Sequence, residues 1–80
     1  MKITSVTTKS NYVLQLTFSD GKYGEISIKN RLFGPMFEPL KDPVFFAQVK
    51  IDQFGAVYWP NQADLAPDSL YFNIINKKNT

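Results

Sequence analysis

Apolar and polar positions alternate through the first thirty residues. Tyr12, Leu14, Leu16 and Phe18 interleave with Val13, Gln15, Thr17 and Ser19, the period-two repeat of a strand with one buried face. Asp20-Gly21 follows and predicts a hairpin turn of type I′, because both residues tolerate positive φ. The return strand runs from Tyr23 to Ile28, with Ile26 and Ile28 on one face and Glu25 and Ser27 on the other. Ile3 to Thr8 reads as the preceding strand, with Ser10-Asn11 as the turn between them. Three antiparallel strands with one apolar face are the minimum that is stable without outside help.

The pattern then changes. Asn30 to Leu40 carries Gly34, Pro35 and Pro39 among Leu32, Phe33, Met36 and Phe37, an apolar connection expected to lie over the sheet with one helical turn at Asn30–Phe33. Asp42-Pro43 reads as a helix cap followed by proline at the first helical position, and it predicts a short helix over Pro43–Gln48. Val49–Asp52 and Ala56–Trp59 read as a second strand pair joined by Gln53-Phe54-Gly55. Pro60 ends it, since proline donates nothing to a ladder. Pro67 opens a last short helical turn, Pro67 to Phe72. The predicted fold class is α+β: a three-stranded N-terminal meander and a second strand pair, all antiparallel, with one or two short helices. Residues 1–75 are expected to form one domain and 76–80 a disordered polar tail.

Eighty residues lie near the lower limit for a single core. There is no cysteine and no histidine, so disulfides, thiolate nucleophiles and Cys-type zinc sites are excluded, together with the commonest general base and metal ligand. Twelve aromatic residues, 15% of the chain, supply the packing material instead, with self-association as a further source of stability. The formal charge is +2, but Lys77 and Lys78 sit in the tail. The remaining seven basic and seven acidic residues cancel. A neutral body with the single arginine Arg31 is a poor match for a phosphate backbone. Met1 leads directly into Ile3-Thr4-Ser5-Val6 with no apolar leader, and no apolar run approaches the roughly 18 residues that span a bilayer. The expected compartment is the cytoplasm.

No Ser-His or Cys-His pair can be built from this composition. The carboxylates Asp20, Glu25, Glu38, Asp42, Asp52, Asp64 and Asp68 each have a structural explanation in a turn, a cap or a strand end. The four glycines are isolated, so no phosphate-cradling loop is present. One segment, Tyr58-Trp59-Pro60-Asn61-Gln62-Ala63-Asp64-Leu65-Ala66-Pro67-Asp68-Ser69-Leu70-Tyr71, has two readings. In the first, Trp59 and Leu70 plug the core while Asn61 and Asp64 hold local turns. In the second, Trp59, Asn61, Asp64 and Tyr71 form an interaction surface, as aromatic anchors often do. The first is favoured, with one edge of the Trp59 ring expected near the surface.

These residues also carry a resemblance. Gly34-Pro35-Met36-Phe37-Glu38-Pro39-Leu40, then Asp42-Pro43 with Phe46 and Val49, Asp52, Gly55, Trp59-Pro60-Asn61, Ala63-Asp64-Leu65, Pro67 and Leu70-Tyr71, follow a recognisable order. Val6, Tyr12, Leu14, Phe18 and Asp20-Gly21 fit ahead of them. The chain resembles the bacterial domain-of-unknown-function family 2442 from about Ile3 to Tyr71. The resemblance implies a small α+β fold without known enzymatic activity. It also implies a protein found alone or joined to a helix-turn-helix domain, often encoded beside another small domain as in a toxin–antitoxin-like pair. Two departures stand out: Gln62 occupies a position that is typically glycine, and the apolar run Phe72-Asn73-Ile74-Ile75 extends past the motif as an extra strand or an interface. The functional expectation is a non-catalytic protein-interaction module with no cofactor and no metal. Its partner would be a small protein encoded nearby or a second copy, with no membrane contact and nucleic acid reached only through a partner. The competing reading is a small-ligand or enzymatic domain that uses the Trp59–Tyr71 segment.

Overall fold

The alternating residues at the N-terminus form the larger of two antiparallel sheets. A computed structural model describes residues 1–76; the tail expected beyond Asn76 lies outside them. Strands β1 (Ile3–Lys9), β2 (Val13–Phe18) and β3 (Tyr23–Ser27) lie side by side in that order. Leu16 pairs with Val6 and Gly24, and Leu14 with Thr8 and Ile26, across a register interrupted by one irregularity between Ile3 and Ser5. Leu14, Leu16 and Phe18 are buried, as the alternation requires. Tyr12 is not the first residue of β2. It lies in the turn before it, where Asn11 and Tyr12 take φ values of 63° and 60°, and its carbonyl accepts the Ile28 amide at 2.9 Å.

The connection over the sheet is a chain of short helices: a 3₁₀ turn at Lys29–Arg31, α1 (Gly34–Phe37), a second 3₁₀ turn at Glu38–Lys41, and α2 (Pro43–Phe46). Helix α2 starts as predicted, with Asp42 Oδ1 accepting the Val44 amide at 3.0 Å, but it ends two residues before Gln48. The second sheet has three strands rather than the expected pair: β4 (Lys50–Ile51), β5 (Val57–Tyr58) and β6 (Asp64–Leu65). The third short α-helix, α3 (Pro67–Ile75), runs three residues beyond the predicted Phe72. The run Phe72–Ile75 is therefore helix and not an extra strand. Asn76 closes it, donating from its backbone and its side-chain amide to the Phe72 carbonyl.

Three loops share one geometry. Gly21 N–H donates to the Phe18 carbonyl and Phe18 N–H to Lys22; Gly55 to Asp52 and Asp52 to Ala56; Gln62 to Trp59 and Trp59 to Ala63. Each is a three-residue loop closed by a left-handed residue, with φ of 90° at Gly21, 80° at Gly55 and 75° at Gln62. The first differs from the expected two-residue I′ turn, in which Asp20 would also take positive φ. Gly55 has a second role: a Cβ there would stand 2.7 Å from the Lys2 Cα, so only glycine lets its carbonyl accept the Ile3 amide at 2.9 Å. That bond joins the loop of the second sheet to the start of the first. The core draws on every part of the chain, with Ile3, Leu14, Leu16, Phe18, Ile28, Leu32, Leu40, Phe46, Val57, Trp59, Ala63, Leu65 and Leu70 packed as one cluster.

Candidate functional site

Trp59 has no accessible surface. Strand alternation puts it on the same side as the equally buried Val57, and its Nε1–H donates to the Phe46 carbonyl at 2.9 Å. Its ring stacks on Phe46 with centroids 6.0 Å apart. Phe46 in turn meets Tyr12 edge-on at 5.4 Å, and the Tyr12 hydroxyl donates to the Lys41 carbonyl. The indole thus ends a column of rings through the core. It has no edge at the surface and cannot anchor a partner of the folded chain.

The other three residues diverge. Asn61 Nδ2 donates to the Met36 carbonyl at 2.8 Å, and its Oδ1 accepts the Ala63 amide at 3.2 Å, so one side chain holds both its own turn and the distant helix α1. Tyr71 reaches the other way. Its hydroxyl donates to Asp20 Oδ2 at 2.7 Å, and its ring meets Phe18 edge-on at 5.0 Å. Donation from the Tyr71 hydroxyl, followed by the Lys22 amide, holds the Asp20 carboxyl below its usual range, while the same bond raises Tyr71, whose ionisation would break it. Asp64 is exposed on β6, opposite Tyr58. No hydrogen bond or ring contact joins any two of the four among the described residues. The motif is a set of latches, with Trp59 to α2, Asn61 to α1 and Tyr71 to the first hairpin.

Two depressions lie elsewhere, and none of the four residues lines either. One, of about 440 Å³, lies between the β1–β2 turn and α2 and is lined by Thr8–Tyr12, Pro43 and Phe46. Its cation is engaged, with Lys9 Nζ 2.7 Å from Glu25 Oε2. The other, of about 490 Å³, lies between the start of β3 and the end of α3 and is lined by Gly21, Lys22, Tyr23, Ile74 and Ile75. Helix α3 turns Leu70, Tyr71 and Ile74 inward, at the spacing of one helical face. It sits close on β3 because residue 24 is glycine: a Cβ there would come within 2.6 Å of Ile74 Cγ2.

The outer side of this junction is apolar. Tyr23 is 75% exposed, Phe72 64% and Ile75 43%. Phe72 and Ile75 lie one turn apart on the same side of α3, and Tyr23 joins Ile75 in lining the second depression. Sequence reasoning assigned Tyr23 only to its strand. The signal available was the apolar run past Tyr71, which is longer than the inward face of a helix needs.

Among the described residues, no group of three carboxylates is placed to hold a metal ion, and no helix is long and apolar enough to cross a membrane. No curated protein and no solved structure matches the chain. One family model does match, over residues 3–76, under the description "Protein of unknown function (DUF2442)". With nearly its whole length covered by that model, the chain belongs to the DUF2442 family.

Proposed function

We propose that this protein is a non-catalytic protein-interaction module, the binding half of a small two-protein system of the toxin–antitoxin-like kind. The observation that carries the reading is the exposed cluster of Tyr23, Phe72 and Ile75 beside a concave depression. Water-exposed aromatic and aliphatic side chains grouped on a domain this small are costly unless a partner covers them, and aromatic anchors near a pocket typify binding hot spots. The absence of cysteine and histidine from the sequence points the same way, as does the use of Trp59, Asn61 and Tyr71 as internal latches.

The test is co-expression with the product of the neighbouring gene, followed by size-exclusion chromatography and sedimentation. The expected result is a stable complex that Phe72→Ser abolishes while the variant's own melting temperature is unchanged. A complex indifferent to Phe72→Ser would move the interface elsewhere. Turnover in a broad substrate screen, lost on Asp64→Asn with the fold intact, would favour the enzymatic alternative.

A further inference from the structure

The depression between the β1–β2 turn and α2 takes no part in the interaction reading, and none of Tyr23, Phe72 and Ile75 lines it. One wall is the run Thr8–Tyr12, and the other is Pro43 and Phe46, the first and last residues of α2. Its shape depends on Asn11 and Tyr12, consecutive residues with φ of 63° and 60°. Residues other than glycine rarely enter that region, and bulky ones least of all. Such a backbone persists only where its surroundings hold it. Here the Tyr12 carbonyl accepts the Ile28 amide, and the Asn11 carbonyl accepts the Ser27 hydroxyl at 3.2 Å. The Tyr12 hydroxyl donates to the Lys41 carbonyl just ahead of α2. Turn and helix are thus fixed to one another, and the opening between them is formed in advance of any ligand.

At about 440 Å³ the opening falls within the range of small-molecule sites, roughly 300–1,000 Å³. Its lining is mixed. Tyr12, Pro43 and the buried Phe46 supply carbon. Thr8 and Ser10 supply hydroxyls and Asn11 an amide, and none of these three side chains has a hydrogen-bond partner among the described residues. The cation in the lining, Lys9, lies 2.7 Å from Glu25 Oε2, so the pair presents no net charge.

We propose that this depression binds a neutral saccharide, a ring with a face of C–H groups and an edge of hydroxyls. The C–H face packs on Tyr12 and the saturated ring of Pro43, and the hydroxyls meet Thr8, Ser10 and Asn11. Each alternative leaves something unmatched. A wholly apolar ligand strips water from three polar side chains and replaces it with nothing. A charged ligand has to break the Lys9–Glu25 pair to find its counter-charge. A nucleobase needs an open aromatic face, whereas Tyr12 and Phe46 meet each other edge-on at 5.4 Å and Phe46 is buried. Walls already held in place lower the ordering cost of binding, so a few contacts suffice for weak, saturable association.

The test is an amide-resolved NMR titration of the full chain. The probes are the neutral disaccharides maltose, cellobiose and N,N′-diacetylchitobiose, with glucuronate, glucosamine, adenosine and indole as contrasts. At least one neutral disaccharide is expected to bind saturably, with a dissociation constant on the order of 1 mM, and to move the amides of Thr8–Asn11 and Val44–Phe46. Asn11→Gly deletes the side-chain amide and keeps the left-handed backbone. It should weaken binding by about fivefold, the loss of one hydrogen bond, without lowering the melting temperature. Ser10→Ala should act in the same direction, and Phe72→Ser should leave saccharide binding unchanged.

The inference is overturned if none of the three disaccharides gives saturable shifts, or if the shifts lie away from the depression. It is overturned equally if Asn11→Gly and Ser10→Ala both bind like the parent. Tighter binding of glucuronate or glucosamine identifies a charged ligand, of adenosine a nucleobase, and of indole an apolar one, and each replaces the saccharide. None of these outcomes bears on the complex with the neighbouring gene product, which Phe72→Ser tests separately.

Discussion

Gln62 is the clearest place to test how the backbone stores free energy. It occupies the left-handed position of a three-residue loop, with φ of 75°, while the same position in the two sister loops is Gly21 and Gly55. A side-chain-bearing residue in that region loses about 1–2 kcal/mol to the close approach of Cβ and carbonyl oxygen. Gln62→Gly relieves it, at the expense of about 0.5–1 kcal/mol for the greater freedom of glycine in the unfolded chain. The net expectation is a gain of about 0.5–1 kcal/mol. For a domain of this size that raises the melting temperature by roughly 2–8 °C. Because Gln62 is exposed, its side chain contributes little packing, and Gln62→Ala should fall within about 0.5 kcal/mol of the parent. Urea denaturation of parent, Gly and Ala variants, with calorimetric melts alongside, measures this directly, and the midpoint should move without a change in slope. An equal rise for Gly and Ala would locate the effect in the glutamine side chain. A Gly variant no more stable than the parent would refute the strain argument.

Trp59→Phe removes the donor to the Phe46 carbonyl and leaves a buried acceptor unmet, so chemical denaturation should show a loss of about 1–3 kcal/mol; Trp59→Ala, with its added cavity, should lose about 3–5 kcal/mol. Native Trp59 fluorescence should be blue-shifted, and red emission would contradict its burial. The Tyr71–Asp20 bond makes stability depend on pH at both ends of the scale. Asp20 titrates lower in the folded chain than in the unfolded chain, so its contribution is present above about pH 4 and fades as pH falls through the folded value. Tyr71 titrates higher when folded, so its contribution is complete below about pH 10 and is lost as pH rises through the folded value. Melting curves of Tyr71→Phe should lose the alkaline dependence, and a variant that keeps it would assign that dependence to another group.

The parts of the fold legible in the sequence were those written in short-range periodicity. Leu14, Leu16 and Phe18 announced β2 by strict alternation, and Asp42-Pro43 announced α2 by its cap, because both signals depend only on neighbours in the chain. Strand β6 was missed for the opposite reason. Asp64 and Leu65 are two residues whose strand character comes from pairing with Tyr58 and Val57, and a two-residue element carries no period to count. The end of α3 was set too early because its inward residues Leu70, Tyr71 and Ile74 form a face only once β3 is in place beneath them. The motif's main role was legible, with Trp59 and Leu70 in the core and Asn61 holding its own turn, but its long-range bonds were not. Asn61 bonds a carbonyl 25 positions away and Tyr71 a carboxylate 51 positions away, distances over which no local pattern exists. The interface-like residues were legible only as an apolar surplus at Phe72–Ile75.

The span of the Tyr71–Asp20 latch, 51 positions along the chain, bears on how the protein is made. The first hairpin leaves the ribosome long before the helix that covers it. At about 5–20 residues per second, the interval between Ile28 and Ile75 lasts roughly 2–10 s. During it the core cluster of Leu14, Leu16 and Phe18 gains members in chain order, Leu32, Leu40 and Phe46 first, then Val57, Trp59 and Leu65, with Leu70 last. Closure must wait for nearly the last turn of the described chain, so the newborn protein passes through a stage in which its stickiest surface is uncovered. Chaperones that recognise exposed apolar strands would meet it there, and destabilising changes at Tyr71 or Gly24 would show first as poor yield of soluble product.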